Sequence, residues 1–276
     1  MWRAAATMNG TFDFVMTDHA AWLPADAGRQ RVFVTPGGGR WLAMAYEGMV
    51  ALHPLAPAAA KPVLDVFTMP DGPLTEAPEL ATALRELGST ARFRNSDLWD
   101  ALGMAIMRQV IRAAQSKKLY RDFCQAHGTQ VRLPDGGIYC LFPTPEIVLQ
   151  LTDHQFASLG LAFKRRPLRL AAEAYSVHGA QWQELSPTTL VDALQVIPRV
   201  GPWTARAAVA DWSNDWALYP YDDLAVRTWA KRAAPSRDWP VDEPTFGRMW
   251  RALAGEGLSS LTLLTLAWGS QHGDIG

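Results

Sequence analysis

The chain has 276 residues and a formal net charge of −1, with 49% of its residues hydrophobic, 19% charged and 10% aromatic. That length and apolar share can bury one large core or two ordinary ones, which excludes a disordered chain, and the near-zero charge gives no whole-chain sign of a polyanionic partner. Two cysteines, Cys124 and Cys140, exclude a disulfide scaffold, an iron–sulfur cluster and a four-cysteine zinc site, and they are read as reduced thiols.

Met1-Trp2-Arg3 and the short Ala run after it lack the continuous apolar core of a secretory signal. No apolar run nears the roughly 20 residues that cross a bilayer, so a cytoplasmic protein is expected. Strand signals then fill residues 1–70. Thr11 to Met16 alternates in part, and Arg31-Val32-Phe33-Val34-Thr35 is β-branched and stops at Pro36-Gly37-Gly38-Gly39. Trp41 to Tyr46 and Val63 to Phe67 read as further strands, with an Ala/Pro loop over 54–62 between them. Pro70-Asp71-Gly72-Pro73 is a turn that closes the block. Short connections favour hairpins, hence an antiparallel sheet with a helix across it.

From about residue 75 the spacing becomes helical. Ser96 is a candidate N-cap for a helix through Leu98, Leu102, Ile106 and Val110 to Lys117. Thr144 and Pro145 open another helix, and Thr152-Asp153-His154-Gln155 starts a third that ends near Gly160. Phe163 to Tyr175, Thr188 to Val196, Pro240 to Ala254 and Leu258 to Trp268 complete the helical pattern. The boundaries suggest a β-rich domain over 1–90 and a helical region over 91–276, an α+β fold.

Charge is unevenly spread. Residues 92–206 hold 14 Lys and Arg against 9 Asp and Glu, giving +5, with the excess in Arg92, Arg94, Arg108, Arg112, Lys117, Lys118, Arg121, Lys164, Arg165, Arg166 and Arg169. Solvated helix faces account for such a pattern, and so does a local phosphate-binding face. The six histidines show no metal-ligand spacing.

Residues 190–230 are the most specific segment. A helix ending at Val196 is followed by the turn Ile197-Pro198-Arg199-Val200-Gly201-Pro202 and a second helix from Trp203-Thr204-Ala205. The first N–H groups of that second helix lack intrahelical partners and suit a phosphate, although helix–Gly–helix is also a common structural turn. Further on, Asp222 and Asp223 precede Leu224-Ala225-Val226-Arg227. Either carboxylate could simply cap a helix; the functional alternative is a carboxylate at the mouth of a cleft, stabilising a developing cation.

Together these elements resemble the helix-hairpin-helix DNA glycosylase superfamily. The loop 197–205 is similar to its L-P-G-[IV]-G-x-x-T-A, and Asp223 to Arg227 is similar to its D-x-x-[VI]-x-R. Ala105-Ile106-Met107-Arg108-Gln109-Val110, then Phe142 to Pro145, Leu159-Gly160 and Lys164-Arg165, occur in the same order as in the 3-methyladenine DNA glycosylase II branch. The resemblance covers about residues 90–270.

The resemblance implies an N-terminal antiparallel sheet followed by a helical region of two subdomains with the active-site cleft between them. It implies Asp223 as the catalytic carboxylate. Trp203 stands where a nucleophilic Lys would confer lyase activity, so a monofunctional enzyme is expected. Trp203, Trp268, Ala207 and Gly269 fall at base-pocket positions, the last two being small where aromatics are common, which suggests a roomier pocket; core packing is the ordinary alternative for the tryptophans. DNA contacts are implied for Gln109, Val110 (an apolar wedge, or else a buried helix residue), Arg199, Val200, Gly201, Thr204, Lys164 and Arg165. Arg199 replaces a family glycine, so a positive φ there would carry a steric cost. The expected substrate is an alkylated purine in double-stranded DNA, with another lesion or an inactive DNA-binding protein as alternatives. A nucleoid-associated monomer with no cofactor is expected, apart from a monovalent cation that such a hairpin can hold on backbone carbonyls.

Overall fold

The computed structural model describes residues 7–56, 60–69, 74 and 76–273, so the turn expected at Pro70–Pro73 lies outside the described residues. Seven strands come first: β1 (Thr7–Thr11), β2 (Phe14–Val15), β3 (Leu23–Ala25), β4 (Gly28–Thr35), β5 (Gly39–Tyr46), β6 (Met49–Pro54) and β7 (Leu64–Phe67). α1 (Pro78–Glu86) and β8 (Thr90–Phe93) follow. Five strands form an antiparallel sheet in the order β1-β6-β5-β4-β3. The β4–β5 hairpin turns at Thr35-Pro36-Gly37-Gly38, closed by the Gly38 N–H on the Thr35 carbonyl at 3.0 Å. Proline at the second turn position and Gly37 at φ +84° in the third meet the demands of a type II turn.

Alternation puts both faces of this sheet to use. Phe33, Trp41, Ala43 and Ala45 pack with Trp22, Val50 and Leu52 against Ala91 and Phe93 of β8. Val32 and Leu42 point the other way, onto Val131, Leu133 and Tyr139. β8 belongs to a second, three-stranded sheet of order β2-β8-β7, in which β2 runs parallel to β8 and β7 antiparallel.

Helices dominate the rest: α2 (Leu98–Arg108), α3 (Ala113–His127), the hairpin β9 (Gln130–Arg132) and β10 (Ile138–Cys140), then α4 (Pro145–Gln150), α5 (Asp153–Ser158), α6 (Arg165–Gln183), α7 (Pro187–Leu194), α8 (Pro202–Ser213), α9 (Leu224–Ala233), α10 (Glu243–Ala254) and α11 (Leu258–His272). The architecture is α+β, with three short strands, β8 to β10, added to the helical part. Runs of three or four residues are too short to show an alternating pattern in sequence. Thr144 and Thr152 cap α4 and α5 as expected, Thr152 in a reciprocal capping box with Gln155.

The long helix expected from Ser96 to Lys117 is two helices. Asp97, not Ser96, is the cap, accepting from the Trp99 and Asp100 N–H groups at 2.9 and 3.3 Å. α2 stops at Arg108, and the chain turns through Val110 at φ +60° before α3 begins. Residues 98–107 are all buried, so α2 is the central rod of the molecule, packed on α3, α6 and α8.

A buried ionic knot joins the sheets to the C-terminal end of α8. The fully buried Arg92 guanidinium donates to Asp18 at 2.9 and 3.1 Å, to Asn214 at 2.6 Å, and to Asp211. Asn95 bridges Asp211 and Asp100 at 2.8 and 3.1 Å, and Asp100 also accepts from Arg31 at 3.0 Å and Tyr120 at 2.5 Å. Burial alone would raise the Asp211 carboxyl, yet His19, Arg92 and Arg31 hold it well below the usual carboxylate range.

Candidate active site

Three apolar side chains, Leu194, Ile197 and Val200, pin the hairpin between α7 and α8 to the core. Burying each contributes roughly 1.5–3 kcal/mol. The Val200 N–H closes the turn on the Ile197 carbonyl at 3.0 Å. Pro198 and Arg199 therefore take the two central turn positions, and Arg199 is exposed at φ +72°. A type II turn wants glycine there. Replacing Arg199 with Gly should raise the unfolding free energy by about 1 kcal/mol, since the strain exceeds the extra freedom glycine gives the unfolded chain. A urea titration showing no rise in midpoint would contradict this.

Gly201 caps α8, Pro202 fills its first position, and no side chain caps the helix. The N–H groups of Trp203 and Thr204 thus lie in the first turn, without intrahelical acceptors. Gly201 is exposed, and a Cβ placed on it would meet nothing within 4 Å.

Several expected DNA contacts have other employment. The Val200 side chain is buried and its N–H is spent within the turn. Thr204 is buried, its hydroxyl accepting from the Gln109 amide at 2.9 Å; the same amide donates to the Arg199 carbonyl at 3.0 Å. Gln109 is therefore a strut between the end of α2 and the hairpin. Lys164 is buried, and its ammonium caps α2 by donating to the carbonyls of Ile106 and Gln109 at 2.8 and 2.6 Å. Burial pushes that ammonium down to about 8. Arg165 pairs with Asp153 at 2.6 Å.

Part of the expected basic face is engaged within the protein in the same way. Arg92 lies in the ionic knot, Arg94 pairs with Asp65, Lys118 with Asp122 and Arg169 with Asp153. Arg121 donates to the Ala20 and Trp22 carbonyls. Arg112, Arg166, Arg199 and Arg206 are exposed and make no ion pair among the described residues. Sequence counts charges but cannot see which are paired.

Val110 is 100% exposed in spite of being apolar and β-branched, on left-handed backbone. The buried-helix alternative for it fails. A bulky residue at positive φ is a true outlier and an unusual one to leave in water.

Of the two readings that sequence left open for Asp223, the structure shows the helix cap and adds a second partner for its carboxylate. Asp223 caps α9, with one carboxylate oxygen accepting from the Leu224 N–H at 2.8 Å. The other accepts from the buried Tyr219 hydroxyl at 3.3 Å. Tyr219 in turn accepts from Arg108 at 2.9 Å, and the Arg108 guanidinium carbon stands 5.3 Å from the Trp203 ring centroid and 5.8 Å from that of Tyr219. Burial alone would lower the Arg108 guanidinium, but Tyr219 and Asp223 hold it above its ordinary value; burial pushes the Tyr219 phenol up. The relay Arg108–Tyr219–Asp223, with Trp203 on its flank, gathers a carboxylate, an indole and a cation at the N-terminal ends of α8 and α9 and the C-terminal end of α2. Arg108 and Tyr219 escaped sequence reasoning as site residues. Arg108 lies inside the A-I-x-x-Q helix at an x position, and Tyr219 four residues before the carboxylate, so neither carried a motif signal.

The other residues expected in a base pocket have these surroundings. Trp268 is half-buried and stacks on His272, centroids 4.4 Å apart. Ala207 is buried in the core. Gly269 does not open a larger pocket: a Cβ there would come within 2.3 Å of the Trp229 ring, which fills the space. Asp222 is half-buried, its Cβ 3.3 Å from where one on Gly247 would stand.

The hairpin carbonyls of Leu194, Ile197 and Arg199 already accept from Ile197, Val200 and Gln109. Among the described residues no group of three or more His, Cys, Asp or Glu could hold a metal ion, and no helix is long and apolar enough to cross a membrane.

No protein-family model matches the chain, and no curated protein matches it by sequence. Solved structures do. An 8-oxoguanine glycosylase/lyase from Clostridium acetobutylicum, in complex with double-stranded DNA containing cytosine opposite to 8-oxoG, is 14% identical with a TM-score of 0.69, over 96% of this chain and 98% of that one. The 3-methyladenine DNA glycosylase from Archaeoglobus fulgidus is also 14% identical with a TM-score of 0.69, over 93% and 91%. A 3-methyladenine DNA glycosylase from Schizosaccharomyces pombe, in complex with abasic DNA, is 18% identical with a TM-score of 0.53, over 66% and 84%. The chain has the fold of the helix-hairpin-helix DNA glycosylases.

Proposed function

We propose that the protein is a monofunctional DNA glycosylase that everts a damaged nucleotide from duplex DNA and hydrolyses its N-glycosidic bond. Alkylated purines are the lesions the sequence resemblance points to. The observation that carries the reading is the half-buried Asp223 carboxylate held by Tyr219 and Arg108 beside Trp203, next to the uncapped start of α8.

The chemistry follows from those groups. The damaged base must leave the stack before its sugar is reachable. The exposed Val110 suits the gap left behind, its strained backbone projecting an apolar side chain from between α2 and α3. The Trp203 and Thr204 N–H groups and the Arg199 guanidinium suit backbone phosphates. As the C1′–N bond breaks, its electron pair goes with the base and the sugar becomes oxocarbenium-like, a charge the Asp223 carboxylate stabilises. A water oxygen then bonds to C1′, giving one proton to Asp223 and on to solvent. Trp203 offers no amine, so the abasic strand stays intact. In this reading the partner is duplex DNA, the protein acts as a monomer in the cytoplasm, and the cleft lies within residues 91–276.

Duplexes carrying single lesions test this on denaturing gels. Strand breaks are expected only after hot alkali. Breaks without alkali would refute the monofunctional assignment, and none from any lesion would refute the glycosylase. Arg199→Gly should also flatten the slope of log affinity against log salt by about 0.9.

A further inference from the structure

From the seat of Arg108 we infer that the base taken from DNA is an electrically neutral damaged purine presenting an acceptor atom, and that Arg108 is the residue that excludes cationic bases. The inference rests on the glycosylase reading and narrows its substrate class.

A positively charged purine gains from an electron-rich aromatic face, because the ring quadrupole attracts cations. Here one face of Trp203 already carries a cation. The Arg108 guanidinium stands 5.3 Å from the ring centroid, inside the range of that attraction. A cationic base stacking on Trp203 would therefore meet a like charge, either on the same face or across the ring. The cation is also fixed. Nη2 is tied to the Tyr219 hydroxyl at 2.9 Å, and Tyr219 to Asp223 at 3.3 Å.

The same guanidinium has donors to spare. Its Nε and Nη1 make no hydrogen bond among the described residues, yet neither is a buried unpaired atom. Those uncommitted donors suit a carbonyl oxygen or an unprotonated ring nitrogen on the base edge. Charge balance in the reaction favours the same class. A cationic alkylpurine leaves as a neutral molecule and needs no help. A neutral purine leaves with the C1′–N9 electron pair as an anion, which takes its proton from solvent afterwards. Arg108 donating to that base stabilises the developing negative charge, while Asp223 stabilises the positive sugar. The two ends of one relay would then face the two halves of the breaking bond.

Release of 1,N6-ethenoadenine, 8-oxoguanine and 7-methylguanine from otherwise identical duplexes, followed by mass spectrometry in single turnover, tests the inference. The first two bases are neutral and the third is cationic. The wild-type protein should release at least one neutral base ten-fold faster or more than 7-methylguanine. Arg108→Gln, which keeps an N–H donor without the charge, should lower the neutral-to-cationic rate ratio at least ten-fold, and Arg108→Lys should keep the wild-type order. Circular dichroism confirms that each variant is folded. Fastest release of 7-methylguanine, or an unchanged ratio in folded Arg108→Gln, overturns the inference and leaves the glycosylase reading standing. No release of any base by the folded wild-type protein overturns both.

Discussion

Asp223→Asn is expected to slow base release by about 10²–10³-fold, the loss typical of removing one preorganised electrostatic group from a transition state. The substitution suits the question because Asp223 has two duties. Its oxygen on the Leu224 N–H caps α9, and asparagine caps a helix as well as aspartate does. The fold should therefore change little, by a few tenths of a kcal/mol, while the charge proposed to stabilise the sugar disappears. Asp223→Ala would confuse the two effects by adding about 1 kcal/mol of lost capping. Single-turnover release, alongside binding to a duplex with an uncleavable lesion analogue, separates them. Retained binding with lost turnover supports the assignment; full activity in Asp223→Asn would remove Asp223 from the mechanism.

Arg92→Met is expected to be the most damaging single change to stability, costing about 3–5 kcal/mol, because it strands buried carboxylates without their cation. Asp18 and Asp211 both touch Arg92, and both are held below the usual carboxylate range in the folded protein. The sign of the pH effect follows. In the wild type these groups take up protons at lower pH when folded than when unfolded, near 3.9. Their contribution is complete above that value and is lost as pH falls through it toward the folded values. In Arg92→Met burial dominates instead, the carboxyls rise, and mild acid should relieve part of the damage. Urea unfolding at pH 7 and pH 4.5 measures this. A smaller deficit at pH 4.5 is expected, and an equal one would show that the carboxylates are not the source of the loss.

Where sequence succeeded, the signal was local. Caps at Thr144 and Thr152, the Pro-Gly turn after Thr35 and the hairpin pinned by Ile197 and Val200 follow from residues within a few positions of one another. Where it missed, the deciding contact was distant. Nothing near Lys164 tells that its ammonium caps α2 from 55 positions away, or that Gln109 holds the hairpin across 95. The break in the helix at Val110 was hidden because a β-branched residue on left-handed backbone is the last thing propensity would choose. Arg108 was counted among surface charges because charge alone does not reveal burial.

The Trp229 indole lies where any side chain on Gly269 or Gly273 would stand, a Cβ at either coming within 2.3 Å of the ring. α9, which carries Trp229, begins at Asp223, so a side chain at Gly269 on α11 or at Gly273 just past its end would press on the helix that this carboxylate caps. Directed evolution toward bulkier adducts would then find Gly269 and Gly273 closed to enlargement.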